Sequence, residues 1–312
     1  MSNGGLLVFA YKFLSGLIKI IPDRLLGTVR DKLAHLACRL SADKRVLAER
    51  NLRRVYGNDI DTAVLKRKTQ KAFMSYAKYW TDSAKMQSLT DYQIDAGFTV
   101  EGFEHIENAW SDGPGPILAL PHLGGWEWAG RWLTCRPKYE VTVVVEPQQP
   151  KELFEFMVSY RESFGMNVIP LGPNAGKEVI RAIKDNHVVC LLCDRDIDGS
   201  GVNVSFFGEE TTIPAGPATL SLRTRAKIIP VAVYQSPTAH HAIVRPPIDA
   251  SREGSLKEDI SRVSQKIVRE FEELIRLEPE QWHLMSPNWP SDYDVIQAVS
   301  YTHLTLPTIL LV

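Results

Sequence analysis

The sequence predicts an α/β fold with a mixed, mostly parallel central sheet flanked by helices. Short apolar runs, too brief for helices, alternate with runs of helical periodicity, which is the pattern of strand and helix units around such a sheet. A long stretch of purely helical pattern precedes the first of these strands. The chain has 312 residues, of which 44% are hydrophobic, so it can bury one sizeable core.

The first 87 residues are predicted to form a helical region that associates with a membrane. Leu6–Ile21 is apolar on one side, while Lys12, Ser15 and Lys19 recur at helical spacing on the other. The stretch is too short and too charged to span a bilayer, so we expect a helix in the membrane interface with its lysines toward anionic head groups. A helix docked on the domain's own core is the alternative.

Residues 31–87 are predicted to be wholly helical and carry a marked excess of basic side chains. A basic helical surface next to an interfacial helix favours an approach to anionic phospholipid. A solvated face without a partner is the alternative for each of these cations taken singly.

The α/β core is predicted to span residues 88–299, beginning with a linker at 88–96, and to form one compact domain with the N-terminal helices. Its predicted strands are Ile117–Leu120, Val141–Glu146, Asn167–Leu171, Val188–Cys193, Ile228–Tyr234 and Ala242–Arg245. Its predicted helices are Trp126–Leu133, Lys151–Phe164, Asn174–Asp185, Pro214–Arg225 and Ser255–Leu277. Residues 300–312 resemble the translation of a sequencing adapter, so we exclude this tail from the fold as non-native.

Charge and cysteine usage narrow the class of protein. Lys plus Arg number 36 and Asp plus Glu 37, so nothing global indicates a nucleic-acid partner. Four cysteines at irregular positions predict reduced thiols in a cytoplasmic setting. Cys190 and Cys193 lie in one predicted strand, where alternation points them to opposite faces and assigns them to packing.

Chemistry is predicted where Pro116–Gly130 reads as strand, turn and helix, because His122 then lies at the carboxyl end of a strand. Gly124 and Gly125 supply a bend that can bring Glu127 back to His122. A carboxylate on one imidazole nitrogen leaves the other free to take a proton from a hydroxyl. The two glycine amides could stabilise an oxyanion. A buried histidine beside a helix-capping Glu is the alternative.

Four sequence blocks in order resemble one known superfamily. These blocks are the HX4E motif from His122 to Glu127, then Asp194–Asp196, Phe206–Gly208 and Ile213–Ala218. They resemble the acyltransferase superfamily that acylates lipid A and glycolipids. Within it, the sequence is most similar to the actinobacterial phosphatidylinositol mannoside acyltransferases, over nearly the whole chain up to Trp282–His283.

The resemblance implies a peripheral membrane enzyme on the cytoplasmic face of the cell membrane. It would transfer a long-chain acyl group, with palmitoyl expected, from acyl-CoA to a mannose hydroxyl of a phosphatidylinositol mannoside. His122 would be the general base, and Glu127 with Asp194 would hold its imidazole. Asp194 stands where the resembling proteins are expected to carry Glu, so its side chain is one carbon shorter. No metal or redox cofactor is expected, and acyl-CoA is a co-substrate.

Further residues are assigned to substrate binding. Arg161 and Arg195 are candidates for the phosphates of coenzyme A or of an inositol-phosphate lipid, with ion pairs to neighbouring acids as the alternative. The remaining assigned residues are Gly124, Gly125 and Trp126 beside His122, and Phe206, Phe207, Gly208, Pro214 and Gly216 around an acyl pocket. Packing alone is the alternative for the two phenylalanines.

Two other functions remain open from the sequence. The acceptor could be a lipid A precursor or a phospholipid head group, within the same enzyme class. The chain could instead be a lipid-binding protein without turnover, although a pure binder gains nothing from a positioned base.

Overall fold

A computed structural model of the protein describes residues 16, 18, 21–197 and 199–296. The predicted interfacial stretch Leu6–Ile21 therefore lies almost entirely outside the described residues, and the tail at 300–312 lies wholly outside them. Within the described ranges, no helix is long and apolar enough to cross a bilayer.

From residue 21 on, the N-terminal part is helical, as the sequence predicts, and contains α1 (Asp23–Leu40), α2 (Ala42–Tyr56) and α3 (Thr62–Met86). The Asp61 side chain accepts a hydrogen bond from the Val64 amide and so starts α3. The three helices share a small core of Ala34, Cys38, Ala48 and Phe73.

The rest of the chain alternates strands and helices. In chain order the elements are α4 (Asp91–Ala96), β1 (Phe98–Glu101), α5 (Glu104–Ser111), β2 (Ile117–Leu120), α6 (Trp126–Cys135), β3 (Val141–Val145), α7 (Lys151–Glu162), β4 (Met166–Pro170), α8 (Ala175–Lys184), β5 (Val188–Leu192), β6 (Val202–Phe206), β7 (Glu209–Ile213), α9 (Gly216–Thr224), β8 (Ile228–Gln235), β9 (His240–Val244) and α10 (Leu256–Leu277). A 3₁₀ turn at Pro279–Gln281 follows, and residues 290–296 are helical.

Seven of these strands form one sheet in the order β1-β9-β8-β2-β5-β3-β4. Only β8 and β9 pair antiparallel in it, so the predicted mixed, mostly parallel sheet is confirmed. The short strand β1 and the β6–β7 hairpin were not predicted, because none of them contains the apolar run on which the predicted strands rest. The predicted linker at 88–96 contains α4, which starts with a capping box between Thr90 and Gln93.

Side chains alternate between the two faces of the sheet and divide the core. Leu118 and Leu120 join the cluster under α5 and α6, whereas Ala119 joins the cluster under α10. Cys190 packs against the first cluster and Cys193 belongs to the second, which confirms the predicted opposite faces. All four cysteines are free thiols.

A buried carboxylate fastens the C-terminal segment to α2. Asp292 is fully buried and accepts from Arg50 Nε at 2.7 Å and Arg54 Nη2 at 2.8 Å. The Arg54 guanidinium also lies over the Trp289 ring, 3.9 Å from its centroid. The segment that follows the 3₁₀ turn is thus held by charge as well as by packing.

We therefore expect Asp292→Ala to lower the free energy of unfolding by about 3 kcal/mol, because it removes the buried carboxylate that Arg50 and Arg54 share and leaves Arg54 only the more exposed Glu209 as an acidic partner. Urea denaturation measures this loss. The exposed neighbour Asp294 is the matched control, and Asp294→Ala should change stability by less than about 0.5 kcal/mol. Equal effects of the two substitutions would contradict the anchoring role.

Candidate active site

The site forms where two neighbouring parallel strands end. His122 follows β2 and Asp194 follows β5, and β2 and β5 pair in parallel, so their carboxyl ends lie side by side. His122 Nδ1 lies 2.6 Å from Asp194 Oδ1, although the residues are 72 positions apart. The predicted contact between them is present in the structure, even with the shorter Asp side chain.

Asp194 is fully buried and accepts hydrogen bonds from several directions. Its Oδ2 accepts from the His122 amide at 3.0 Å and from Trp282 Nε1 at 2.8 Å. Burial alone would raise the pKa of the Asp194 carboxyl, but the facing His122 and these hydrogen bonds outweigh burial and hold the pKa below its usual value. The carboxylate is therefore ionised at neutral pH.

The loop after β2 is held by its own backbone. Gly124 N donates to Gln281 O at 2.9 Å, and Gly125 N donates to Val233 O at 3.0 Å. A Cβ at Gly124 would lie 1.9 Å from the Val233 oxygen, so close approach to β8 requires the glycine. Both amides are therefore already hydrogen-bonded, in contrast to their predicted use as oxyanion donors.

Glu127 differs from its predicted position. In the described chain no hydrogen bond joins it to the His122 ring; α6 turns its carboxylate toward α7 instead. Glu127 Oε2 accepts from Arg161 Nε at 3.2 Å, and Oε1 accepts from Arg161 Nη2 and, at 3.3 Å, from the Tyr79 hydroxyl. The ion pair left open for Arg161 is thus the arrangement observed, and its guanidinium is occupied by a carboxylate.

This polar group is largely buried between α3, α6 and α7. Burial opposes a charge on Arg161, but the Glu127 carboxylate overrides it and raises the pKa of the guanidinium. Burial, with the adjacent Glu127, raises the pKa of Tyr79 well above its usual value, so its hydroxyl stays a donor. Glu127 and Arg161 therefore act as a fixed ion pair that orients α6 against α7.

An aromatic wall closes one side of His122. The Trp126 ring meets the His122 ring edge-on at 5.6 Å and stacks on Tyr79 at 4.2 Å. His283 donates its amide to the His122 carbonyl at 2.7 Å, and its Nε2 lies 2.9 Å from Ser75 Oγ. Burial, with the nearby His122, lowers the pKa of His283 to about 3, so this imidazole is neutral.

His122, Trp126, Glu127 and Arg161 line a cavity of about 340 Å³ beneath α6. Its wall is otherwise mostly apolar and comes from the sheet and from α3, α5, α6 and α7. That wall includes Val100, Phe103, Ile106, Leu118, Leu120, Ala129, Gly130, Leu133, Val143, Met157, Met166, Cys190, Leu192, Val231, Ala242 and Val244. The cavity therefore joins an imidazole to a long hydrophobic space.

The predicted acyl-pocket residues lie elsewhere. Phe206 is fully buried in the core cluster on the other face of the sheet. Phe207 and Gly208 have φ of 52° and 75° and form the tight turn between β6 and β7. Pro214 and Gly216 precede and begin α9, which packs on that same face. None of these residues lines the cavity, and the packing left open for the phenylalanines is what is observed.

Arg195 lies at the rim of the cavity with about a quarter of its side chain exposed. Its Nη2 donates to Glu146 Oε2 at 2.8 Å, and Nη1 approaches Ser286 Oγ at 3.4 Å. Lys44, an exposed residue of α2, lies at the same rim. The rim thus carries two cations, of which Arg195 already has a carboxylate partner.

Sequence reasoning assigned no role to Trp282, His283 or Tyr79. Trp282 and His283 are adjacent and end the region of resemblance. An indole donor beside an imidazole was the sequence signal that could have pointed to them. Tyr79 is one of several aromatic residues in the helical N-terminal region, and only the packing of α3 on α6 distinguishes it.

Comparison with known proteins adds the family to this geometry. The family model of the bacterial lipid A biosynthesis acyltransferases matches residues 4–291. The chain belongs to this family. Its relatives are named acyltransferases, which confirms the predicted enzyme class.

Two similar proteins cover most of the chain. The phosphatidylinositol mannoside acyltransferase of Mycolicibacterium smegmatis is 32% identical over 282 residues, which are 88% of this chain and 89% of that protein. The phosphatidylinositol mannoside acyltransferase of Mycobacterium tuberculosis is 33% identical over 223 residues, 70% of this chain and 69% of that protein. The predicted resemblance is therefore confirmed.

The neutral His283 predicts a pH dependence of stability. Unfolding returns its pKa from about 3 to about 6.5, so the unfolded state binds more protons and stability falls as pH drops below 6.5. Between pH 6.5 and 5 this group should cost about 2 kcal/mol. His283→Gln removes the titration, so its unfolding free energy, measured in urea, should fall by about that much less than wild type. Parallel pH curves would contradict the assignment.

Proposed function

We propose that this enzyme transfers a long-chain acyl group, palmitoyl, from acyl-CoA to a mannose hydroxyl of a phosphatidylinositol mannoside, with His122 as general base. The observation that carries the proposal is the His122–Asp194 hydrogen bond at the mouth of an apolar cavity. The acceptor is taken from the names of the two mycobacterial relatives. Palmitoyl is taken from the family resemblance.

The reacting atom of the base is His122 Nε2. The bond from Nδ1 to the ionised Asp194 keeps the ring proton on Nδ1 and leaves a lone pair on Nε2. Among the described residues, none hydrogen-bonds Nε2, and the ring lines the cavity. Nε2 takes the proton of the acceptor hydroxyl while the hydroxyl oxygen attacks the thioester carbonyl carbon.

Collapse of the resulting tetrahedral intermediate forms the ester and breaks the carbon–sulfur bond. The leaving thiolate takes the proton from the imidazolium, which returns His122 to its neutral form. Asp194 stabilises the imidazolium between these steps and stays ionised throughout. The reaction is balanced without a covalent acyl-enzyme.

Charge on the thioester oxygen needs donors other than Gly124 and Gly125. Trp126 and Glu127 are the first two residues of α6, and their amides bond to no described residue. Because α6 begins beside His122, we assign the oxyanion to this helix start, where the helix dipole also favours negative charge.

The cavity supports the choice of a long-chain donor. Its apolar wall removes methylene groups from water, at about 0.8 kcal/mol for each one buried. Arg195 and Lys44 at the rim supply positive charge for a phosphate of coenzyme A or of the acceptor. The buried Arg161 is not assigned to phosphate, because Glu127 already holds its guanidinium.

A membrane surface is proposed as the source of the acceptor. One side of α1 exposes Leu25, Val29, Leu33, Leu36 and Leu40, with exposed fractions between 42% and 75%. Their spacing of three or four residues makes this α1 stripe one continuous apolar face. Lys44 at the cavity rim follows the end of α1 by four positions, so the stripe adjoins the mouth of the site.

Catalysis is tested by thiol release from palmitoyl-CoA with and without phosphatidylinositol mannoside. His122→Ala should lower acceptor-stimulated release by about 10²–10⁴-fold while far-UV circular dichroism stays unchanged. The control is His241→Ala, whose ring bonds Thr99 at the far edge of the sheet. Near-normal turnover of His122→Ala would overturn the mechanism. If a lipid A precursor or a phospholipid stimulates release and phosphatidylinositol mannoside does not, the proposed acceptor is wrong.

Membrane attachment is tested by co-sedimentation with phosphatidylcholine vesicles that contain phosphatidylglycerol. Replacing Leu33, Leu36 and Leu40 together by Ser should weaken binding at least about tenfold, because each buried Leu contributes about 1.5–3 kcal/mol. Leu277→Ser, at an equally exposed leucine at the end of α10, is the matched control and should leave binding unchanged. Equal binding of the triple variant and wild type would contradict the α1 docking face.

A further inference from the structure

The side of α6 that faces the cavity carries unusually small side chains. The helix contains three tryptophans, Trp126, Trp128 and Trp132. Ala129 and Gly130, which follow Trp128, are by contrast small. Both line the cavity. A glycine inside a helix is less stable than an alanine, so Gly130 destabilises α6. The packing that its missing side chain permits offsets this cost.

The space that Gly130 leaves is occupied by the end of one side chain from the far strand of the sheet. A Cβ at Gly130 would lie 2.7 Å from Met166 Cε and 3.3 Å from Met166 Sδ. Met166 begins β4 and lines the same cavity. Gly130 and Met166 are therefore in contact, and even one added methyl group would displace the thioether.

The Gly130–Met166 contact lies far from the reacting atoms. In the sheet, β4 is three strands from β2, or about 14 Å at about 4.8 Å per strand. His122 lies at the carboxyl end of β2, and Met166 lies at the amino end of β4. Carbons some way along a chain that starts at His122, rather than its first carbons, therefore reach this point.

We propose that Gly130 and Met166 set the length of acyl chain that the enzyme accepts, by bounding the part of the cavity that holds the distal methylenes. This inference rests on the proposed function in one respect, namely that the cavity holds the donor's acyl chain. Met166 suits such a boundary because its unbranched thioether adapts to the end of a chain. Because Gly130 has no side chain, the Met166 thioether packs against α6 instead of projecting further into the cavity that both residues line.

If the Met166 thioether is displaced into the cavity, the affinity for an acyl chain falls with each methylene that no longer fits. One methylene left in water lowers affinity by about fourfold. Gly130→Ala should therefore weaken the binding of palmitate and stearate by about fourfold or more and leave the binding of decanoate unchanged. Met166→Ala removes the thioether, which lengthens the cavity at this point and should favour the binding of stearate over palmitate. The two changes together should restore the preference of the wild-type enzyme.

The test measures the dissociation constants of decanoate, laurate, palmitate and stearate by titration calorimetry on the full chain. Gly176→Ala is the matched control, since Gly176 is an exposed helical glycine of α8 with open space around it. This control should leave the chain-length profile unchanged. A profile shifted in Gly130→Ala and restored by Met166→Ala supports the inference.

Three results would overturn it. The first is an unchanged profile in Gly130→Ala. The second is a profile that Ala242→Val shifts and Gly130→Ala does not, since Ala242 lines the cavity from β9, on the other side of β2. The third is no fatty-acid binding by the wild type. Because binding needs no turnover, failure of acyl transfer in the thiol-release assay tells against the proposed function alone.

Discussion

The structure of the site depends on one buried carboxylate, that of Asp194. A carboxylate without partners at this depth would be very unfavourable, so its hydrogen-bond donors are a condition of folding as well as of chemistry. Those donors are the His122 amide and ring and the Trp282 indole, which bring the ends of two strands and the segment after α10 to one point. Losing the Trp282 donor would therefore loosen the hold of Asp194 on the base.

The same arrangement explains why the base faces a hydrophobic space. Alternation along the strands sends Leu118 and Leu120 to the face where α6 lies, and the small residues Ala129 and Gly130 of that helix line the cavity with them. The opposite face is covered by α8, α9 and α10, and most of the residues that line the cavity lie on the α6 face. His122 at the strand end thus serves a space mainly on one face of the sheet.

Sequence reasoning could place His122 and Asp194 at strand ends, because a short apolar run and the residue after it are local features. It could not give the strand order that makes β2 and β5 neighbours, and so the contact between the two residues rested on resemblance. Glu127 was predicted beside His122 because the Gly124–Gly125 bend could bring it back, whereas α6 directs its carboxylate to Arg161. Phe206 was misplaced because a sequence does not tell which face of a sheet a hairpin covers.

A double-mutant cycle tests the central claim, that Asp194 acts on catalysis through His122. The variants are Asp194→Asn, His122→Ala and the double substitution, each assayed for kcat/KM of acceptor-stimulated thiol release. If Asp194 acts only by holding the imidazole, the double variant loses no more activity than His122→Ala alone. Losses that multiply, so that the double variant falls below His122→Ala by the full factor of Asp194→Asn, would show that Asp194 acts independently of His122 and would contradict the account.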